Sequence, residues 1–326
     1  MQNKSFFSLL LLLSILSIAL SLVLGSTSIS IASIWNALAT SNQTENSTTF
    51  MIVSELRLPR ALSSFAIGAL LALAGTLMQV LVRNPLADPY ILGVSGGAAV
   101  AALLSIALGV SGLWLTGSAF IGALLSMLLV FGLAHHQGSW TSTRLLLTGV
   151  VVAAGWGALI SFILAISPER DLRGMLFWIM GDMGYVQHIW PLYIVLLIGL
   201  VISFSIARHL NVLSFGEKTA SSLGIHSRKL YYQLYILASL LTATAVAQAG
   251  SIGFVGLVVP HLIRLSGFTD HRILLPASAL GGGILLILAD TLARTLIAPL
   301  QLPVGVVTAL VGVPVFLYLL SRSAVR

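Results

Sequence analysis

From Phe6 to the final residues, apolar runs about 20 residues long alternate with short polar turns. The runs are apolar on every face and lack the every-second-residue rhythm of a barrel strand, so each predicts a lipid-embedded helix. Ten spans are expected, at 6–25, 61–82, 91–109, 113–134, 143–166, 189–208, 229–249, 251–264, 273–298 and 303–322. The span at 251–264 is short and contains Pro260, which marks it as a half-helix packed among the others. The pattern predicts an all-α, polytopic membrane protein of about ten transmembrane helices. Residues 1–326 form a single transmembrane domain with no room for a second.

Composition agrees with the pattern. Hydrophobic residues make up 58% of the chain and charged residues 8%, against roughly 25% charged in ordinary soluble proteins. Such a chain is solvated by lipid, where a backbone must satisfy its own hydrogen bonds. The 16 basic residues sort by turn. With a cytosolic N-terminus, Lys4, Arg83, Arg144, Arg208, Lys218, Arg228, Lys229, Arg264, Arg272, Arg322 and Arg326 fall inside. Arg57, Arg60, Arg170, Arg173 and Arg294 fall outside. That excess of inside positives, with an even number of spans, predicts both termini in the cytosol. The net charge of +7 is dispersed over many turns and forms no nucleic-acid patch. The stretch from Phe6 to Leu24 exceeds a signal-peptide core, so it reads as a retained span. The lack of cysteine excludes disulfides, thiolate metal sites and a cysteine nucleophile.

Three polar segments interrupt the spans. Ser26–Glu55 reads as an outer loop. Ser167–His188 mixes Glu169, Arg170, Asp171 and Arg173 with Met175, Leu176, Phe177 and Trp178, which predicts a short interfacial helix with Trp178 at headgroup depth. Asn211–Arg228 is the one sizeable inner loop, and its middle predicts a short helix ended by Gly224.

Candidate chemistry is sparse. Gly93-Val94-Ser95-Gly96-Gly97-Ala98 lacks the Gly-Lys-Ser/Thr of a phosphate loop, and it reads, like Gly281-Gly282-Gly283, as close helix packing. Any ATP hydrolysis therefore belongs to another chain. Asp290 is the only acidic residue deep in a span; a proton relay and an ion pair with Arg294, four residues on, are both open to it, and the arginine favours the pair. His135-His136 lack metal-ligand spacing, and no serine–histidine–acid set stands out, so neither a metal site nor a catalytic residue is expected. Arg57-Leu58-Pro59-Arg60 and Arg294 run against the positive-inside trend, which an acidic partner docking from outside would explain. In Asn84-Pro85-Leu86-Ala87-Asp88-Pro89 two prolines stop the helices, making a turn first and a functional loop second.

These segments carry a resemblance. Leu56-Arg57-Leu58-Pro59-Arg60, Asn84 to Pro89, Leu92 to Ala98, Gly253 to His261, Asp270 to Pro276, Leu288 to Arg294 and Leu302-Pro303-Val304-Gly305 follow one another in order. Together they resemble the permease subunits of binding-protein-dependent ABC importers for iron–siderophore complexes, haem and vitamin B12. The resemblance implies a type II importer permease of ten helices in a bacterial inner membrane, with a second permease subunit as a homodimer partner. It further implies two ABC ATPase subunits that consume ATP, and a periplasmic or lipid-anchored substrate-binding protein. It gives this chain no cofactor and no enzymatic step. By the same resemblance Arg57, Arg60 and Arg294 meet acidic residues of the binding protein. Gly216, Glu217, Lys218, Ala220, Leu223 and Gly224, within the cytosolic coupling loop of about 211–228, fit a cleft on the ATPase. Ser142 and Thr143 fall where the family narrows its pathway towards the cytosol. Asp171-Leu172-Arg173 with Trp178, and Thr269-Asp270-His271-Arg272, resemble the vitamin B12 permease, while iron-chelate permeases vary around similar residues and leave the cargo open. A self-powered secondary carrier is the rival reading.

Overall fold

The computed structural model describes residues 2–25, 29–30, 32–34, 48–135, 142–186 and 188–323. In chain order these form α1 Gln2–Val23, α2 Thr48–Val82, α3 Val94–Ala107, α4 Leu113–His135, α5 Ser142–Ile166 and α6 Glu169–Met180. There follow α7 Trp190–Ser214, α8 Glu217–Ser222, α9 Ser227–Ala249, α10 Val255–Leu265, α11 His271–Thr295 and α12 Val304–Ser323. Each of the ten expected spans coincides with one of these helices. Seven of them, α1, α2, α4, α5, α7, α9 and α11, are long and apolar enough to cross a membrane, while α3, α10 and the apolar part of α12 are shorter.

Local chemistry accounts for the shortened members. Before α3, Asp88 accepts a hydrogen bond from the Tyr90 amide and caps a 3-10 turn over Pro89–Leu92; Gly93, at φ 69°, then swings the chain into the helix. Residues 91–93 thus belong to a turn and not to the span expected to start there. Helix α10 starts after Phe254, a non-glycine residue at φ 69°, and it keeps Pro260 inside its 11 residues. Pro260 has no N–H for the Gly256 carbonyl, four residues back. That carbonyl faces Gly75 of α2 instead, so close that a Cβ on Gly75 would overlap it.

Helix α2 is the axis of the bundle, with 94% of its apolar window buried. Helices α7, α9, α10 and α11 pack around it. Gly68 meets the Gly282 backbone on α11, two turns before Gly75 meets α10. A second small-residue contact, Gly97 against Gly122, joins α3 to α4. Helix α5 lies outermost, with only 11% of its window buried, and turns Val150, Val151 and Phe162 outward.

Two expectations need correcting. The span expected from residue 61, after an outer loop of Ser26–Glu55, begins earlier: α2 extends upstream through a π-helical turn at Met51–Arg57 to Thr48. Proline suits the first turn of the α-helical stretch, and the wider π turn carries the chain across the donor it lacks. Trp178 does not face out of the bundle towards an interface. It is fully buried, and its carbonyl packs on Gly250 at the end of α9, so α6 inserts its apolar side into the bundle.

Candidate functional site

The ionic residues gather at the two ends of the α-helical stretch of α2, Leu58–Val82. Arg60 and Arg83 lie 23 residues apart in sequence, roughly 35 Å of helix, which matches a bilayer core.

At the Arg60 end, Asp290 of α11 is 1% exposed and serves two arginines. Arg60 reaches it with Nη2 at 2.9 Å and Nε at 3.1 Å, and Arg294 with Nε at 3.1 Å. The ion pair expected between Asp290 and Arg294 is therefore present, and Arg60 joins it. Arg60 also donates to Gln301 Oε1 at 3.1 Å and lies 3.9 Å from Asp182. Arg57 and Arg294 close the end of α1. Arg57 Nη1 donates to the Leu22 and Val23 carbonyls at 2.6 and 3.1 Å, and Arg294 Nη2 to Ser21 Oγ at 2.8 Å. The Leu22 and Val23 carbonyls are orphans of a helix C-terminus, where guanidinium charge is favourable. Gly25 sits where a side chain would collide with the Arg57 guanidinium. A cleft of about 410 Å³ opens here, lined among others by Glu55, Arg57, Arg60, Arg294 and Gln301. Arg60 is the most accessible of the three arginines, at 17%; Arg57 and Arg294 are buried. Asp182, Gln301 and Ser21 were not singled out from sequence. They are ordinary loop or helix residues, and only the fold brings them beside the arginines.

At the other end, α8 projects from the bundle between α7 and α9. Gly216 at φ 113° precedes it and Gly224 at φ 79° follows it, both in backbone conformations that favour glycine. Ala220 faces inward and is fully buried, whereas Phe215, Leu223 and Lys218 face out, the first two 80% and 65% exposed. Glu217 Oε2 accepts from Arg83 Nη2 at 3.2 Å, and Arg83 also donates to the Tyr231 hydroxyl. Asn211 of α7 is tied to α11: its Nδ2 donates to Asp270 at 2.7 Å and its Oδ1 accepts from the His271 amide at 2.8 Å. The Arg272 amide and the Asn211 amide hold the Asp270 carboxyl below its ordinary range. The short helix expected in the inner loop is thus present and anchored to α2 by an ion pair. Thr143 is exposed in the first turn of α5; the Ser142 side chain and His136 lie outside the described residues.

The comparisons with known proteins place this architecture. The profile of the FecCD transport family matches residues 11–322. A haemin transport system permease of Yersinia pestis is 41% identical over 97% of this chain and 94% of its own length. A cobalamin import system permease of Halobacterium salinarum is 43% identical over 85% of this chain and 75% of its own. A vitamin B12 import system permease of Salmonella typhi is 43% identical over 84% and 85%. A solved structure, an inward-facing metal-chelate type ABC transporter, superposes with a TM-score of 0.84 at 32% identity, covering 98% of this chain and 99% of that one.

Proposed function

The chain belongs to the FecCD transport family, and on that premise we propose that it translocates haem, vitamin B12 or an iron–siderophore complex as the permease subunit of an ATP-driven importer. The family assignment leaves the secondary-carrier reading without support. The cargo classes follow from relatives named for haemin and cobalamin transport. The observation that carries the reading is the pairing of an arginine-lined cleft at one end of α2 with a short projecting polar helix at the other, flanked by exposed Phe215 and Leu223.

In this reading a binding protein delivers the ligand to the arginine end, on the outer face of a bacterial inner membrane. Two ATPase subunits receive α8, one on each copy of a homodimer, at the cytosolic face that also holds both termini. The outward face of α5, with Thr143 in its first turn, then lies against the second copy or the pathway. ATP closes the ATPases, and a rigid helix seated in each converts that closure into tilt of the bundle.

Arg60 is the accessible docking arginine, while Arg57 and Arg294 are committed to the end of α1. A docking test therefore belongs at Arg60, since reversing Arg57 would set a carboxylate against the Leu22 and Val23 carbonyls. Arg60→Lys keeps the charge beside Asp290 but removes the planar fork. Binding-protein affinity for the nanodisc-embedded permease is expected to fall roughly tenfold with unchanged recovery of folded protein. Unaltered affinity removes the docking role.

The function itself is tested in proteoliposomes. Ligand uptake is expected only with ATPase and binding protein present, and vanadate should stop it; uphill uptake by this chain alone overturns the reading. In the same assay Leu223→Glu alters an exposed position, so the fold persists, but it places a charge at the ATPase interface at a cost of about 2 kcal/mol or more. Uptake should collapse while thermal stability is retained, and undiminished uptake would remove α8 from the coupling path.

A further inference from the structure

Beside α8, a cavity of about 210 Å³ separates the C-terminal end of α2 from the facing ends of α10 and α11, lined by Gln79, Arg83, Asn84, Ser214, Arg264 and His271 among others. Its charges do not balance. Arg83 has Glu217 as its partner. Asp270, the other carboxylate nearby, accepts from the Arg272 amide at 2.9 Å and from Asn211 Nδ2 at 2.7 Å. Arg264, part-buried at the last turn of α10, therefore has no carboxylate among the described residues and donates only to Gln79 Oε1. His271 is 4% exposed; its Nδ1 meets Asn211 Oδ1 at 2.7 Å, and its buried Nε2 has no hydrogen-bond partner. A guanidinium drawn out of water without a counter-charge is unfavourable unless an anion completes it.

We propose that this cavity binds a phosphate oxyanion, with Arg264 as its principal charge, Arg83 as a second donor, and His271 Nε2, whose ring proton is held on Nδ1 by Asn211, accepting from a protonated phosphate oxygen. Guanidinium suits phosphate because its planar fork meets two oxygens at once. Leu262 and Leu265, flanking Arg264 on the surface of α10, are 40% and 56% exposed. Exposed Arg208, Arg228, Lys229 and Arg272 belong to the same end of the bundle. That combination of an outward apolar helix face and a basic end is the setting of a lipid headgroup. The shared chemistry is a phosphate carried by an anionic phospholipid or present free in solution.

The test uses the full chain in phosphatidylcholine nanodiscs, prepared with and without phosphatidic acid, and separately titrated with inorganic phosphate at constant ionic strength. Phosphatidic acid is expected to raise the thermal midpoint; stabilisation by inorganic phosphate as well identifies a site open to free anion, and stabilisation by the lipid alone identifies a headgroup site. Arg264→Gln should weaken the half-saturating concentration roughly tenfold, Arg264→Lys should restore part of it, and Arg170→Gln, at an exposed arginine of the opposite end, should leave it unchanged. No shift with either probe overturns the proposal. Equal shifts in the wild type and Arg264→Gln overturn it too, as does a response that appears only when an ATPase chain is added, which would make the occupant a protein carboxylate.

Discussion

Alanine at Asp290 will destabilise the folded chain more than alanine at any other charged residue described here. Its carboxylate is 1% exposed and is shared by Arg60 and Arg294, with contacts of 2.9 to 3.1 Å. Taking it away leaves two guanidiniums side by side, with Arg57 a third at the same end. Arg60 keeps only Asp182 at 3.9 Å and Gln301, and Arg294 keeps only the Ser21 contacts. Breaking a buried pair by removing one partner is worth about 3–5 kcal/mol, mostly from the charge left behind. The measurement is the thermal midpoint of detergent-purified protein, with the monodisperse fraction as a second readout. A midpoint equal to wild type would mean that solvent or lipid already screens the cluster. The variant Asp290→Leu with Arg294→Met supplies the cross-check. It removes one cation along with the carboxylate, so it should recover part of the loss, because apolar replacements of a buried pair are often neutral. A double variant as unstable as the single one would point to lost shape in α11, not to stranded charge.

Asp290 also shows what the chain disclosed in advance. The spacing of Asp290 and Arg294 on one helical face was legible because it depends on nothing beyond helix geometry. Arg60 was singled out for its unusual side of the membrane, but its bond to Asp290 connects residues 230 positions apart, which no local pattern contains. The glycine clusters were legible for a similar reason. Gly97 and Gly282 lie at helix contacts where a Cβ would collide, and small residues in an apolar run have few other uses. Trp178 was misplaced because the same amphipathic mixture describes a helix lying in an interface and one inserted into a bundle; only the Gly250 contact distinguishes them. The π turn before Leu58 was hidden as well, since Pro59 reads equally as a helix start and as the point where a helix changes pitch. Helix α8 was visible because two glycines, each at positive φ, bound a short polar run.

Valine at Gly75 should be the most damaging apolar substitution in the axis helix. A Cβ there overlaps the Gly256 carbonyl, and a backbone atom cannot swing aside as a side-chain tip would. Helix α2 cannot retreat either, because two turns earlier Gly68 is pressed against the Gly282 backbone of α11 in the same way. Overpacking of this kind costs about 1–3 kcal/mol for a methyl-sized intrusion and more for a branched one. Gly75→Ala should therefore lower the thermal midpoint measurably, and Gly75→Val should leave little folded protein. Gly155, on the outward face of α5, has nothing within 4 Å of a built Cβ. Gly155→Ala in the isolated chain is expected to be neutral or to stabilise by about 0.4–1 kcal/mol, so it separates helix propensity from collision. If Gly75→Ala matches Gly155→Ala, α10 has room to move away and α2 is not the rigid axis. A smaller effect on stability than on uptake would be equally informative. Arg83 at the end of α2 holds Glu217 of α8, and Arg60 near its start holds Asp290. One helix thus joins the arginine cleft to α8, and under the proposed function a displacement of α10 that α2 cannot follow would separate ATPase-driven motion from that cleft.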